Sequence, residues 1–384
     1  MIVRIVLRTV ALVVALALAV LGWDVATYDA RAWRADYEHL KRELAQHYAN
    51  LDWMVERRRM DLRALDAETG AAIDGAHSRV LAIIALRRFV RAFGDPHLKL
   101  VRGDRSDGDA PGPAATPPPV ASCEAAGYED DDHAFRFPFE GLAGWTPVRT
   151  GAFPAGMAGD LGVLRIAAFG EDRYAAACSR AFRTGLTSRE LRLAVRARLQ
   201  QELIATLEEL KTRGIKRLLI DISGNGGGTE WVTEVVALLT DRELVRQSAR
   251  LAAPACDRSA IWRGEAVCPV LAPPGEPSRL TGTGQWKGPL FILADRDTGS
   301  ASEDFVAWLQ QNGVAVVLGA RTAGAGCGYI DGGGRIRLNQ SPFDVMAPNC
   351  ARFLNDGTNE IEGIKPDIEI PMTAEALAAA LARQ

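Results

Sequence analysis

The chain has 384 residues, of which 48% are hydrophobic and 24% are charged. These proportions are those of a globular protein and exclude a largely disordered chain. The 45 basic and 48 acidic side chains give a formal net charge of -3, so we expect no nucleic-acid partner. At roughly 100–200 residues per domain, the length predicts two or three structural units.

The first 23 residues predict export. Arg4 and Arg8 precede an uninterrupted apolar run from Val10 to Leu21, which is the pattern of a signal peptide. The run is short for a membrane span, so a cleaved signal peptide and an uncleaved inner-membrane anchor both remain open. In either case we expect the rest of the chain to be exported to the periplasm.

The six cysteines of an exported chain favour three disulfides. The sequence cannot fix the pairing, but closeness along the chain favours Cys256 with Cys268 and Cys327 with Cys350. Metal binding is the alternative, and no Cys-x-x-Cys pair supports it. We therefore expect neither a metal nor an organic cofactor.

Residues 30–95 carry apolar side chains at three- and four-residue spacing. This spacing predicts a small antiparallel helical domain, with a turn near Asp66–Gly75. The domain is expected to end at Gly94-Asp95-Pro96, because glycine and proline stop a helix.

Residues 103–160 differ in composition from their neighbours. Their first part, up to Ser122, is rich in proline and small residues and predicts a linker without a core of its own. The alternating Phe135, Phe137 and Phe139 that follow predict one edge strand.

Residues 161–373 alternate apolar strands with amphipathic helices. This alternation predicts an α/β core with a largely parallel sheet, whose loops at the strand ends carry the chemistry. Residues 374–384 are rich in alanine and predict a closing helix.

Ser300 is the candidate nucleophile. It stands between an apolar strand and a helix in the sequence Thr298-Gly-Ser-Ala-Ser-Glu303, where the first helix N–H groups favour a developing negative charge. The same residues also fit an ordinary capping box, with Ser300 at the N-cap and Glu303 at N3. Capping alone is the commoner meaning of this motif, so Ser300 needs support from elsewhere.

A glycine cluster after Asp221 gives that support. The consecutive glycines Gly226–Gly228 let the backbone approach another group closely and turn its N–H groups toward an anion. The cluster lacks the continuation of a phosphate-binding loop and the spacing of a dinucleotide fingerprint. A tight turn without a ligand is the alternative. One N–H here and that of Ala301 would make a two-donor oxyanion hole.

A nucleophilic serine also needs a base. No lysine lies between Ser300 and Ile364, which leaves histidine as the alternative. His97 follows Gly94-Asp95-Pro96 at the end of the predicted helical domain. A lone histidine at such a boundary would by itself indicate nothing.

Taken in order, these motifs resemble those of the tail-specific, or C-terminal processing, serine proteases, a family that includes the tricorn core protease. Gly94 to His97 resembles the family's Asp-Gly-His-Thr element, and Gly162 to Ile166 its strand before the core. Asp221 to Gly228 is similar to the Asp-x-Arg-x-Asn-x-Gly-Gly signature, and Thr298 to Glu303 to the nucleophile motif. Glu362 to Asp367 resembles the family's ending. The resemblance implies a ClpP/crotonase-like core and a peptide or protein substrate.

The resemblance also implies the roles of individual residues. The family's lysine base is missing from this chain, whereas the tricorn-like arrangement uses a histidine and a late glutamate, which correspond to His97 and Glu362. Carried over, Ser300 is the nucleophile and His97 the general base and acid. Glu362, or a hydroxyl between the two side chains, orients the imidazole. The oxyanion hole is then formed by the N–H of Ala301 together with that of Gly227 or Gly228.

Departures from the family pattern leave other functions open. Pro96, Leu98 and Ser223 replace the family's usual glycine, threonine and arginine, and residues 103–160 stand where the family has a peptide-binding PDZ module. We expect an exported serine endopeptidase. One alternative is a weak or inactive relative that binds a ligand or protein, and another is a hydrolase of esters or cell-envelope peptides.

Overall fold

The computed structural model describes residue 9, residues 15–16, residue 19, and residues 22–103 and 118–384. Most of the signal peptide or anchor expected over residues 1–23 and most of the expected proline-rich linker lie outside the described residues. In the part of the chain that is described, no helix is both long and apolar enough to cross a membrane.

The described chain alternates helices and strands along most of its length. From Ala30 onward the α-helices are α1 Ala30–His47, α2 Leu51–Glu56, α3 Leu62–Asp74, α4 Arg79–Ala92, α5 Ala175–Ala181, α6 Ser188–Thr212, α7 Trp231–Leu238, α8 Ala301–Gln311 and α9 Ala374–Leu381. The strands are β1 Lys99–Arg102, β2 Trp145–Arg149, β3 Ala155–Ala158, β4 Leu161–Arg165, β5 Arg217–Asp221, β6 Glu243–Arg246, β7 Arg250–Leu251, β8 Ser278–Thr281, β9 Leu290–Ala294, β10 Ala315–Gly319, β11 Gly334–Ile336, β12 Phe343–Ala347, β13 Cys350–Ala351 and β14 Ile368–Glu369. Short 3₁₀ helices cover Phe139–Gly141, Glu171–Arg173, Ser259–Arg263 and Glu360–Glu362.

The chain divides into two compact units, each made of segments that are distant in sequence. The first unit comprises Met1–Arg105, Leu251–Ala272 and Gly328–Cys350. The second unit comprises Ser106–Arg250, Pro273–Cys327 and Ala351–Gln384.

The first unit contains α1 to α4 and a three-stranded antiparallel sheet of order β1-β12-β11. Helix α1 buries Trp33, Tyr37, Leu40 and Leu44 on one face, as their spacing predicts. The rings of Tyr37 and Phe89 meet edge-on, with their centroids 5.2 Å apart. Aromatic packing of this kind stabilises a core beyond the area that it buries.

The turn expected at Asp66–Gly75 is wrong, because α3 runs through it. Asp61 caps the helix by accepting a hydrogen bond from the Ala64 N–H at 2.9 Å. Leu62 and Ile73 near its two ends are buried. A good cap and packing at both ends thus override the low apolar content of the middle.

The second unit is built on a seven-stranded sheet of order β14-β10-β9-β5-β4-β3-β2. The strands from β14 to β4 are parallel, and β3 and β2 complete the sheet antiparallel. The predicted α/β fold with a mostly parallel sheet is therefore confirmed. Strand β9, inside the sheet between β10 and β5, is buried along its whole length, in agreement with its unbroken apolar sequence.

Helix α6 is one of the amphipathic helices that the sequence predicted in this part of the chain. Thr187 and Glu190 form a capping box at its start, since the Thr187 side chain accepts the Glu190 N–H and the Glu190 carboxylate accepts the Thr187 N–H at 2.8 Å. The buried stripe consists of Leu191, Val195, Leu199, Leu203, Leu207 and Leu210.

The edge strand expected at the alternating phenylalanines is not formed. Phe139 begins a 3₁₀ helix, and Phe135 and Phe139 meet edge-on with centroids 5.1 Å apart. Pro138 has no N–H that could donate a hydrogen bond to a neighbouring strand. Packing of the aromatic rings against one another stabilises the observed conformation instead. Strand β2, a few residues further on, forms this edge of the sheet, and β14 forms the other.

Disulfides close loops in both units. Cys256 pairs with Cys268, as closeness along the chain predicted. Cys123 pairs with Cys178 across 55 residues. Cys327 and Cys350 are disulfide-bonded as well.

Candidate active site

Ser300 has a strained backbone at the turn between β9 and α8. Its φ is 56° and its ψ is -117°. An N-cap residue ordinarily has an extended backbone, so simple capping does not account for this conformation. Positive φ is uncommon for a residue other than glycine and is found mostly where a site requires it.

The Glu303 carboxylate holds this turn in place. Glu303 is fully buried, and it accepts hydrogen bonds from the Ser300 N–H at 3.0 Å and the Thr322 hydroxyl at 2.6 Å. It also accepts the three N–H groups of Gly324–Gly326 at 2.7–2.9 Å. A buried carboxylate needs such compensation, and here it joins the nucleophile turn to the loop after β10.

The glycine cluster packs directly against Ser300. Gly227 has φ 110°, and a Cβ added there would lie 2.7 Å from the Ser300 Cβ and 2.8 Å from the Ala301 nitrogen. Only glycine fits this position. Asn225 fixes the cluster, because its carbonyl accepts the Gly299 N–H at 3.0 Å and its side chain accepts the Gly227 N–H at 2.9 Å.

Two backbone N–H groups, one at this turn and one in the glycine cluster, lack an acceptor. The N–H groups of Ala301 and Gly228 have no acceptor among the residues that the structure describes, whereas that of Gly227 is taken by Asn225. Ala301 is the first residue of α8, where helix N–H groups lack intrahelical partners and the dipole favours an anion. An oxygen that gains negative charge would be stabilised there.

Asp221, at the start of the signature, is paired with an arginine from the neighbouring strand. Arg165 on β4 donates from Nη1 to the buried Asp221 carboxylate at 2.9 Å and to the Ser223 carbonyl at 3.1 Å. Burial raises the pKa of Asp221, and Arg165 opposes that rise. A guanidinium thus lies beside the loop although Ser223 replaces the signature's arginine.

Glu362 lies at the end of the 3₁₀ helix Glu360–Glu362 and is half-buried. Its segment is tied to the nucleophile turn through Thr322. The Thr322 hydroxyl donates to Glu303 at 2.6 Å and accepts the Ile364 N–H at 2.7 Å. Ser300 and the backbone beside Glu362 are therefore linked by hydrogen bonds through Glu303 and Thr322.

His97 is held within the first unit. The buried Asp95 accepts the His97 N–H at 2.9 Å and the Tyr48 hydroxyl at 2.9 Å. Burial, reinforced by Asp95, raises the pKa of Tyr48 well above its ordinary value, so its hydroxyl remains a donor. Gly328 leaves room for the imidazole, since a Cβ there would lie 3.0 Å from the ring. The Tyr329 hydroxyl donates to the His97 carbonyl.

The predicted site residues are thus distributed over both units. His97 belongs to the first unit. The second unit holds Ser300, Ala301, Gly227, Gly228 and Glu362. Among the described residues, no group of three or more histidine, cysteine, aspartate or glutamate side chains is arranged to hold a metal ion.

Arg352 is a residue of this site that the sequence did not single out. Its Nη2 donates to the Ser300 carbonyl at 2.8 Å and to the Gly326 carbonyl at 2.9 Å, and its Nε donates to Glu360 at 2.6 Å. It follows Ser300 by 52 residues. No local pattern connects an isolated arginine with a turn so far away in the chain.

Comparisons with known proteins agree on one family. The sequence model of Peptidase family S41 matches residues 160–370, more than half of the chain. The chain is 27% identical over 191 residues to a tail-specific protease of Haemophilus influenzae. This alignment covers 46% of the present chain and 24% of that protease. The chain is 28% identical over 184 residues to a carboxyl-terminal-processing protease of Picosynechococcus sp., covering 46% of this chain and 37% of that protein. The alignments thus span less than two fifths of either relative.

A solved structure shares the fold. Mature CPAF complexed with lactacystin aligns with a TM-score of 0.61 and 14% identity, covering 92% of this chain and 97% of that one. At this identity, the likeness bears on the fold alone.

Proposed function

The chain belongs to peptidase family S41, and we propose that it is an exported serine endopeptidase of the tail-specific type. The observation that carries the proposal is the strained Ser300 at the start of α8, next to the Ala301 N–H, which has no acceptor among the described residues. Attack on a peptide carbonyl places negative charge on its oxygen, and N–H donors aimed at that oxygen lower the barrier.

In the proposed reaction, His97 takes the proton from the Ser300 hydroxyl while Oγ attacks the peptide carbonyl. The carbonyl oxygen gains the negative charge and is bound by the N–H groups of Ala301 and Gly228. His97 then gives the proton to the leaving amine as the C–N bond breaks, and water hydrolyses the acyl-enzyme by the same steps in reverse. Glu362 orients the imidazole for both transfers. This reaction requires no metal or organic cofactor.

The proposed substrate is a peptide or an unfolded protein. The printed names of the two relatives, a tail-specific protease and a carboxyl-terminal-processing protease, support this class. Export is supported by the charged and apolar N-terminal sequence and by cysteines that are disulfide-bonded throughout. The mature protein would then act in the periplasm, either free or tethered to the inner membrane.

Hydrolysis of an unstructured protein such as casein tests the proposal. We expect the wild-type protein to release peptides and Ser300→Ala to lose this activity. Ser302→Ala is the matched control, because its buried hydroxyl has no hydrogen-bond partner among the described residues and its removal leaves nothing unpaired. Hydrolysis that survives in Ser300→Ala would contradict the assignment.

A binding protein on the same scaffold is the second candidate. It is favoured by the Asn225 side chain, which already occupies the Gly227 N–H. For this candidate, wild type and Ser300→Ala would bind a peptide equally and neither would cleave it.

A further inference from the structure

A polar cavity lies in the second unit at the carboxyl-terminal edge of the parallel sheet. It has a volume of about 380 Å³ and is lined by Arg296, Arg321, Thr322, Ala323 and Glu369; we call it the arginine cavity. The loops that form it follow neighbouring strands, since β10 pairs with both β9 and β14. Ligands of open parallel sheets bind at this edge.

The arginine cavity shares a wall with the nucleophile turn. The Ala323 N–H donates to the Thr298 carbonyl at 2.8 Å. A Cβ added at Gly299 would lie 3.4 Å from the Ala323 Cβ. Arg296 precedes Ser300 by only four residues in the same turn. The cavity therefore adjoins the backbone of the turn that carries Ser300.

Arg321 is held in position before any ligand binds. Its Nη1 donates to the Glu362 carbonyl at 3.1 Å and to the Gly363 carbonyl at 3.2 Å. Its stem passes over Gly363, where an added Cβ would lie 3.0 Å from the Arg321 Cγ. A guanidinium carries five N–H donors, so donors remain for a ligand, and the prior anchoring reduces the entropy lost on binding.

The charges of the arginine cavity favour an anion. In the described ranges, neither Arg296 nor Arg321 forms an ion pair with a carboxylate, whereas Arg352 in the same unit pairs with Glu360 at 2.6 Å. The cavity wall carries two guanidinium groups against the single carboxylate of Glu369. Guanidinium groups bind carboxylates through paired, charge-assisted hydrogen bonds.

We propose that the arginine cavity is a substrate subsite that binds a carboxylate, with Arg321 as its fixed anchor and Arg296 as its second donor. The proposal rests on the proposed function, because it places the carboxylate on a peptide held at Ser300. The carboxylate comes either from an acidic side chain near the scissile bond or from the C-terminus of the peptide.

Binding to the Ser300→Ala protein tests the subsite without requiring turnover. The probes are fluorescein-labelled peptides of alanine and leucine that carry a single Glu or Gln at each position in turn, each made with a free and with an amidated C-terminus. We expect a carboxylate at one position to tighten binding about ten-fold over its neutral partner, as an exposed charge-assisted pair would. The Glu series and the free-acid series distinguish the two sources.

Arginine variants locate the preference. We expect two variants, each made in the Ser300→Ala background, to bind the carboxylate peptide and its neutral partner with nearly equal affinity. They are Arg321→Gln and Arg296→Gln. Arg189→Gln on the exposed start of α6 is the matched control and should keep the full preference. Added salt should weaken the preference in the control.

Equal affinity for acidic and neutral peptides, no measurable binding of either, or a preference that survives both arginine changes would overturn the subsite. Casein hydrolysis by the wild type is unaffected by any of these outcomes, so the proposed function stands or fails separately.

Discussion

At Ser300, the backbone conformation is maintained by its neighbours rather than by serine itself. Glu303 accepts a hydrogen bond from the Ser300 N–H, and Arg352 donates one to the Ser300 carbonyl. Only glycine at position 227 lets the glycine cluster pack this closely against Ser300. Of these contacts, those of Glu303 have the widest reach, because one buried carboxylate also arranges the loop that supports Glu362. Residues that touch no substrate are therefore expected to control the rate.

Glu303→Gln tests this expectation. The amide would turn an NH₂ group toward N–H donors that now meet a carboxylate, so at least one buried donor loses its acceptor. We expect the unfolding free energy to fall by about 1–3 kcal/mol and the rate of casein hydrolysis to fall about 100-fold through misplacement of Ser300. Glu208→Gln is the control, since Glu208 contacts Lys211 on an exposed face. Activity equal to that of the control would contradict the role of Glu303.

His133 should make stability depend on pH. Burial lowers the pKa of His133 below its ordinary value of 6.5, although Asp130 and Asp131 oppose the change. Below pH 6.5 the unfolded chain therefore takes up a proton that the folded chain resists, and stability is lost as pH falls through the lowered folded value. His133→Phe keeps the ring that stacks on Tyr174 at 4.5 Å but cannot titrate.

Chemical unfolding at pH 7 and pH 5 gives the comparison. We expect the wild type to lose more stability than His133→Phe between the two values. Parallel losses in the two proteins would show that His133 does not contribute.

Among the elements, the disulfides Cys123–Cys178 and Cys256–Cys268 should stabilise the fold according to the lengths of the loops that they close. The loop between Cys123 and Cys178 is 55 residues long and that between Cys256 and Cys268 is 12. Loop-closure entropy then predicts a loss of about 4 kcal/mol for the double alanine variant of the first pair and about 3 kcal/mol for the second. Denaturant unfolding of the two variants measures both, and a larger loss for the shorter loop would contradict the entropic account.

Elements with strong local signals could be predicted from the sequence. Strand β9 and helix α8 belong to the alternation of apolar strands and amphipathic helices that the sequence predicted over residues 161–373. Helix α3 was missed because its stability comes from the Asp61 cap and from packing at its ends, neither of which produces a long apolar period. The alternation at Phe135–Phe139 imitates a strand, but its rings cluster around a 3₁₀ turn.

At the scale of the whole molecule, the parallel sheet and the order of the motifs could be predicted, but the composition of the two units could not. Segments 251–272 and 328–350 join the unit that contains the N-terminal helices. Such grouping depends on contacts between distant residues, which no local periodicity encodes. For the same reason the sequence identified Ser300 and the glycine cluster but gave no sign of Arg352. The catalytic roles remain predictions.

Labelling with a fluorophosphonate probe tests the central claim most directly, because the probe reacts only with an activated serine. We expect the wild type to be labelled, Ser300→Ala to remain unlabelled, and His97→Ala to react at least ~100-fold more slowly, as the loss of a general base predicts. Equal labelling of all three proteins would contradict the account.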